Sequence, residues 1–237
     1  MRCGRGGHIV DGAIAQLVEH LPGRQGVRGS SPLSSTEMNA AVIRRIAVVG
    51  PECSGKTTAV GAIAKWLSDV GAAVAVVPEA GRIYAEALPL DHVWTMDDEV
   101  EVARLHARLT AEATAEIEGG SGFVVSDGSG LTPRVWALRG FGEESSALVE
   151  LDDTGAADFI FLAKPDLPWH PDPIRTSAEN RPIEYAIYMD LLSKGSYNFT
   201  TLEGHGPSRL TPAYEALKKL IDGAGKCESE GSVTSSG

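Results

Sequence analysis

Gly50-Pro51-Glu52-Cys53-Ser54-Gly55-Lys56-Thr57 is a glycine-framed loop ending in a lysine and a hydroxyl, with Thr58 directly after it. These residue types at this spacing suit one task, the holding of a polyphosphate. The glycines let the backbone curl so that successive N–H groups point into one concavity. A helix beginning near Lys56 would aim its positive dipole end at the same anion. Lys56 then reaches the β- and γ-phosphates, and the Thr57 hydroxyl ligates Mg²⁺. We therefore assign Gly50, Glu52, Cys53, Ser54, Gly55, Lys56, Thr57 and Thr58 to ATP binding. Cys53 reads as a small space-filler.

Phosphate chemistry also needs carboxylates and cations near the loop. Glu79 follows a short apolar run and is followed by Arg82. Glu79 could take the proton of an acceptor hydroxyl, with Arg82 orienting it or holding a charged group. It could equally be a solvated acid at a helix N-terminus. Asp127 follows Val124-Val125-Ser126, where a phosphate-loop protein places the acid that shares Mg²⁺ with Thr57; Asp127-Gly128-Ser129-Gly130 is also ordinary turn chemistry. Further on, Lys164–Pro173 carries four prolines, which exclude a long helix and describe a stiff loop. Arg175 and Arg181 lie on or just after that loop and could close over the phosphates. His170 has no nucleophile to pair with. Tyr84 and Trp94 are the rings available to stack on a flat acceptor, although Trp94 fits equally well as an ordinary packed aromatic.

The elements that must position these groups alternate in type. Ile46–Val49, Val74–Val77, Phe123–Val125, Phe159–Leu162 and a weaker Phe199–Leu202 are candidate strands. Between them the apolar period lengthens. Val60, Ile63, Ala64 and Leu67 form one helical stripe, ended by Gly71; Val102, Leu105, Leu109 and Ala113 form a second. Ile183, Ile187 and Leu191 form a third, ended by Gly195. Thr211-Pro212 reads as N-cap and N1 of a last helix that buries Leu217, Leu220 and Ile221. The alternation predicts a three-layer α/β P-loop fold around a central, mostly parallel five-stranded sheet.

Bulk properties set the boundaries. The chain has 237 residues and a formal net charge of −11, which argues against a general nucleic-acid binder. No apolar run approaches the ~18 residues of a membrane span. Cys3, Cys53 and Cys227 offer neither a disulfide framework nor metal spacing, as expected of a cytoplasmic protein. Residues 1–37 run against the rest in charge: Arg2, Arg5, Arg24 and Arg28 outnumber Asp11, Glu19 and Glu37. The stretch Gly12–Pro32 resembles the spurious peptide read from a bacterial transfer-RNA gene, which would place the true start at Met38. Residues 223–237 are small and polar and predict a disordered tail. The working domain is thus expected over residues 38–222.

Taken in order, GPECSGKTT, PEAGRIYAE, VVSDGSGLTP, PDLPWHPDPIR with the following Asn180-Arg181, and EGHGPSR at Glu203–Arg209 resemble a known family. The chain is similar to the ribosylnicotinamide-kinase domain of bacterial NAD-biosynthesis regulators, within a wider set of P-loop ATPase and kinase domains. The resemblance spans roughly Ile46–Leu220 and is most specific at Pro165, Asp166, Pro168, Trp169, Asp172 and Arg175. It implies that Arg175 and Arg181 belong to a mobile lid and that Glu79 and Asp127 face acceptor and metal. It also implies that the segment from Gly204 to Arg209 lies beside the adenine. Glu79, Arg82, Trp94 and Trp169 are the residues expected to bind the acceptor, although the aromatic-rich acceptor segment of the family is thinner here. The chain departs from the family where Ser129 replaces the second acid of an Asp-Thr-Asp pattern. The expected activity is transfer of the γ-phosphoryl of ATP to a hydroxyl of a nucleoside-like metabolite, with catalysis by Lys56, Glu79, Asp127, Arg175 and Arg181. The rival is a nucleotide-dependent regulatory ATPase acting on a protein partner.

Overall fold

The computed structural model describes residues 42–155, 157–170 and 178–224. The β-branched and aromatic runs form five strands: β1 (Ile43–Val49), β2 (Val74–Val77), β3 (Gly122–Asp127), β4 (Phe159–Ala163) and β5 (Phe199–Leu202). They assemble in the order β2-β3-β1-β4-β5, and every pairing is parallel. The expected mostly parallel sheet is therefore parallel throughout the described residues. β1 begins three residues earlier than its apolar run, because Arg44 and Arg45 find a partner at the strand's foot. Asp158 accepts the Arg45 amide at 2.7 Å and pairs with the Arg44 guanidinium at 3.6 Å.

Both faces of the sheet are covered, which is why its strands could be so apolar. On one face, α1 (Lys56–Asp69) and α7 (Thr211–Ala224) pack Ala59, Ile63, Leu67, Ala213 and Leu217 onto Ile46, Val48, Val125 and Phe161. The opposite face holds α2 (Ala80–Glu86), α3 (Met96–Ala115), α4 (Leu131–Phe141) and α6 (Arg181–Lys194). α5 (Ser146–Gly155) lies outside α3 and α4, where Leu148 joins Val100, Ala103 and Ala137. A capping box at Thr95 and Asp98 fixes the start of α3. No helix among the described residues is long and apolar enough to cross a membrane.

Four local expectations are corrected. The buried side of α6 is Arg181, Glu184, Tyr188 and Leu192, while Ile183 is exposed. Its inner face is polar at the N-terminal end because that end meets the phosphate loop. Thr211 already has helical angles, since a 3₁₀ turn over Gly206–Leu210 runs straight into α7, so it is not the cap. Ile221 on that helix is exposed. α7 continues to Ala224, two residues into the segment expected to be a tail; the rest of that segment and residues 1–37 lie outside the described residues.

Candidate active site

The loop after β1 turns because its residues accept unusual angles. Gly50 has φ +142°, and a Cβ there would lie 2.5 Å from the Ala163 carbonyl oxygen, so only glycine fits. Cys53 (φ 51°) and Gly55 (φ 80°) are both left-handed, which rotates their amides toward a common hollow. The Ser54 hydroxyl and the Lys56 ammonium both donate to the Pro51 carbonyl, at 2.7 and 3.1 Å. β3 pairs directly with β1 and sets Val48 opposite Asp127. That adjacency brings Asp127 to the Thr57 hydroxyl, which donates to its Oδ2 at 2.5 Å. The two hard oxygens side by side fit Mg²⁺, which binds through one or two protein groups plus phosphates and water.

Two cavities meet at this loop. The first, of about 340 Å³, lies between Cys53–Thr58 and the facing Leu167, Pro168 and His170. The second, of about 480 Å³, opens on the other side of Lys56 and contains Glu52, Glu79, Arg82, Asp127, Ser129 and Trp94. Lys56 lines both. Of the groups expected to meet an acceptor, Glu79, Arg82 and Trp94 therefore share one wall system with Lys56 and Asp127. Arg82 pairs with Glu79 and with Glu86, each at 3.7 Å.

The far end of the second cavity holds residues that the sequence reading missed: Glu99 and His106 from α3, and Trp136, Arg139 and Phe141 from α4. Glu99 is only 3% exposed, and its Oε1 accepts the Trp94 indole N–H at 2.6 Å. Burial pushes its carboxyl up to about 8, against the opposing pull of Trp94 and Arg139. Burial also pushes His106 down to about 4, so the imidazole is neutral. Glu99, Ala103, His106 and Thr110 are buried at helical spacing, so a polar stripe was available in the sequence beside the apolar one.

These shifts carry a pH signature. An unfolded Glu99 loses its proton near the ordinary value of 4.5, whereas the folded one keeps it to about 8. The folded state thus binds the extra proton across that window, and stability falls as pH rises through it. Glu99→Gln removes the titration. Its melting temperature relative to the parent is expected to be higher at pH 8 than at pH 5, by at least about 2 °C. Parallel melting curves across that range would remove the assignment of a buried neutral carboxyl. His106 acts in the opposite direction: its share of stability is lost as pH falls from 6.5 to about 4.

A family model described as an AAA domain matches residues 45–209. The chain belongs to this AAA domain family. Its fold resembles thymidylate kinase from Ehrlichia chaffeensis, with a TM-score of 0.52 and 16% identity over 74% of this chain and 98% of that one. At that identity the likeness speaks to the fold alone. None of the curated proteins matches.

The AAA domain match ends at Arg209, in the segment expected beside the adenine. Its guanidinium is buried and points behind the phosphate loop. It donates to the carbonyls of Ser54 (3.0 Å), Lys164 (2.8 Å) and Gly204 (2.8 Å), and pairs with Asp166 at 2.5 Å. Gly204, with φ +85°, gives its amide to the same Asp166. Arg181 is also turned inward. It donates to the carbonyls of Leu167 (2.9 Å) and Cys53 (3.4 Å), with the Trp169 ring 5.9 Å from its guanidinium. Trp169 lines neither cavity. In this AAA domain Arg181 and Arg209 each donate to a carbonyl of the phosphate loop, while Arg175 lies outside the described residues.

Proposed function

We propose that this chain is an ATP- and Mg²⁺-dependent small-molecule kinase that phosphorylates a hydroxyl of a nucleoside-like metabolite. The observation that carries this reading is the position of Lys56 between two cavities. A nucleotide hydrolase needs room beyond the γ-phosphate only for water; here the space beyond is about 480 Å³ and has Trp94 and Trp136 in its walls. Glu52, Glu79 and Asp127 crowd the end nearest Lys56, and Arg82 is already paired with two acids. Carboxylates there would repel a phosphorylated acceptor and suit a neutral hydroxyl. Nicotinamide riboside is the first candidate, from the resemblance of the sequence motifs.

In the proposed reaction the acceptor oxygen forms a bond to the γ-phosphorus as the bridging oxygen of ADP leaves in line. Glu79 takes the hydroxyl proton, with Asp127 as its rival. Lys56 and the loop amides hold the charge that spreads over the transferring oxygens. Mg²⁺, held by Thr57 and Asp127 when bound, adds charge neutralisation across the phosphates.

ADP formation by the full chain, measured with ATP and Mg²⁺ across a panel of nucleosides led by nicotinamide riboside, tests the proposal. Saturable stimulation with formation of the mononucleotide is the expected result. Glu79→Gln should then lower kcat by about 10²–10⁴-fold, the span of general-base effects. Slow hydrolysis indifferent to every acceptor would instead favour a regulatory ATPase.

A further inference from the structure

The inner face of α6 begins with two charged residues, and both grip the phosphate loop. Arg181 holds the Cys53 carbonyl, as described. One turn on, Glu184 is 3% exposed and accepts a hydrogen bond from the backbone N–H of Glu52. Burying a carboxylate this fully is costly unless cations and donors surround it. The cations that face it come from three elements: Lys56 at the start of α1, Arg181 on α6 itself, and Arg139 on α4. Arg139 Nε lies 3.3 Å from Glu184 Oε1, close enough for an ion pair but off the hydrogen-bonding direction. The Arg139 guanidinium sits 4.4 Å over the Trp136 ring, and both residues line the acceptor cavity.

One buried carboxylate thus touches the backbone of the phosphate loop and the cation that carries an acceptor-cavity wall. We infer that Glu184 is a positioning residue that makes the placement of Arg139 and Trp136 depend on whether phosphates occupy the loop. The inference rests on the reading that a nucleotide binds there. The physical cause is competition for positive charge. Phosphate oxygens drawn to Lys56 offset its field, so Glu184 must rely more on Arg139. Their slack contact then has reason to align, and Arg139 carries the face of Trp136 with it. Coupling of this kind needs differential interaction in the two states, which the shared lysine supplies.

Fluorine NMR of the full chain labelled with 5-fluorotryptophan tests this without any acceptor. The chain has four tryptophans, and Trp136→Phe assigns the relevant resonance. Trp136 does not line the loop cavity, so a direct nucleotide contact would not account for a shift. Saturation with a non-hydrolysable ATP analogue and Mg²⁺ is expected to move the Trp136 resonance, with Trp66 on the opposite face unmoved. In Glu184→Gln the amide oxygen can still accept the Glu52 N–H while the charge is gone. Once the analogue is raised to saturation in this variant, whatever its affinity, the Trp136 shift should be lost. Arg139→Gln removes the other half of the pair and should lose the same shift, which decides the matter if Glu184→Gln does not fold. A Trp136 shift that survives in either folded variant, or its absence in the parent with analogue bound, overturns the inference. Failure of the parent to bind the analogue removes the nucleotide reading itself, and the inference with it.

Discussion

Lys56→Ala is expected to lower acceptor-dependent ADP formation by about a thousandfold while leaving the protein folded. Among the described residues, the ammonium is the only side-chain cation that lines both cavities. It is therefore the group able to touch the transferring phosphoryl from the donor side and remain beside the acceptor. Removing one preorganised donor from a developing oxyanion typically costs about 10²–10³ in rate, and a full charge on a phosphoryl oxygen belongs at the upper end. The structural cost is small by comparison. The hydrogen bond to the Pro51 carbonyl is lost, worth about 1 kcal/mol; Glu184 loses one of its three facing cations but keeps Arg139 and Arg181, and alanine is favourable at the start of a helix. Steady-state ADP formation and a melting curve on the same preparation separate the two effects. Unchanged turnover would place the reaction elsewhere than at this loop.

How far the sequence could be read depended on whether the needed information was local. The strands were legible because a parallel sheet covered on both faces demands apolar residues on both sides of its inner strands, as in Ile46–Val49 and Phe159–Ala163. The loop was legible because its backbone angles restrict residue choice at Gly50 and Gly55. Strand adjacency then carried Asp127 to Thr57 with no further signal. The far end of the acceptor cavity was not local. Glu99 and Arg139 are brought together only by the packing of α3 on α4, and the polar stripe on α3 does not say what it faces. α6 was misread for a related reason. Its apolar stripe points to one buried face, but the helix turns its charged residues inward because the loop presents backbone groups that need partners.

Arg209 extends that point to energetics. The segment around it was expected to meet the nucleotide directly, yet the guanidinium ties Ser54 of the loop to Lys164 at the end of β4 and to Asp166 and Gly204 beyond. Arg209→Met keeps much of the side-chain volume and removes every donor. The Asp166 carboxylate then loses its cation, and three carbonyls lose a charged donor. Breaking a buried pair from one side typically costs about 3–5 kcal/mol. Asp166 is partly exposed, and water can reach it, so about 3 kcal/mol is the better expectation. For a domain of this size that is a fall of about 6–12 °C in melting temperature. Nucleotide binding should weaken as well, because the Ser54 carbonyl no longer fixes the loop. The ordering of the two effects decides the role. A residue that touches the adenine would lose affinity while the melting temperature of the ligand-free protein stayed put. A brace beneath the loop must lower the ligand-free melting temperature first, and saturating ATP should recover part of the loss through binding linkage.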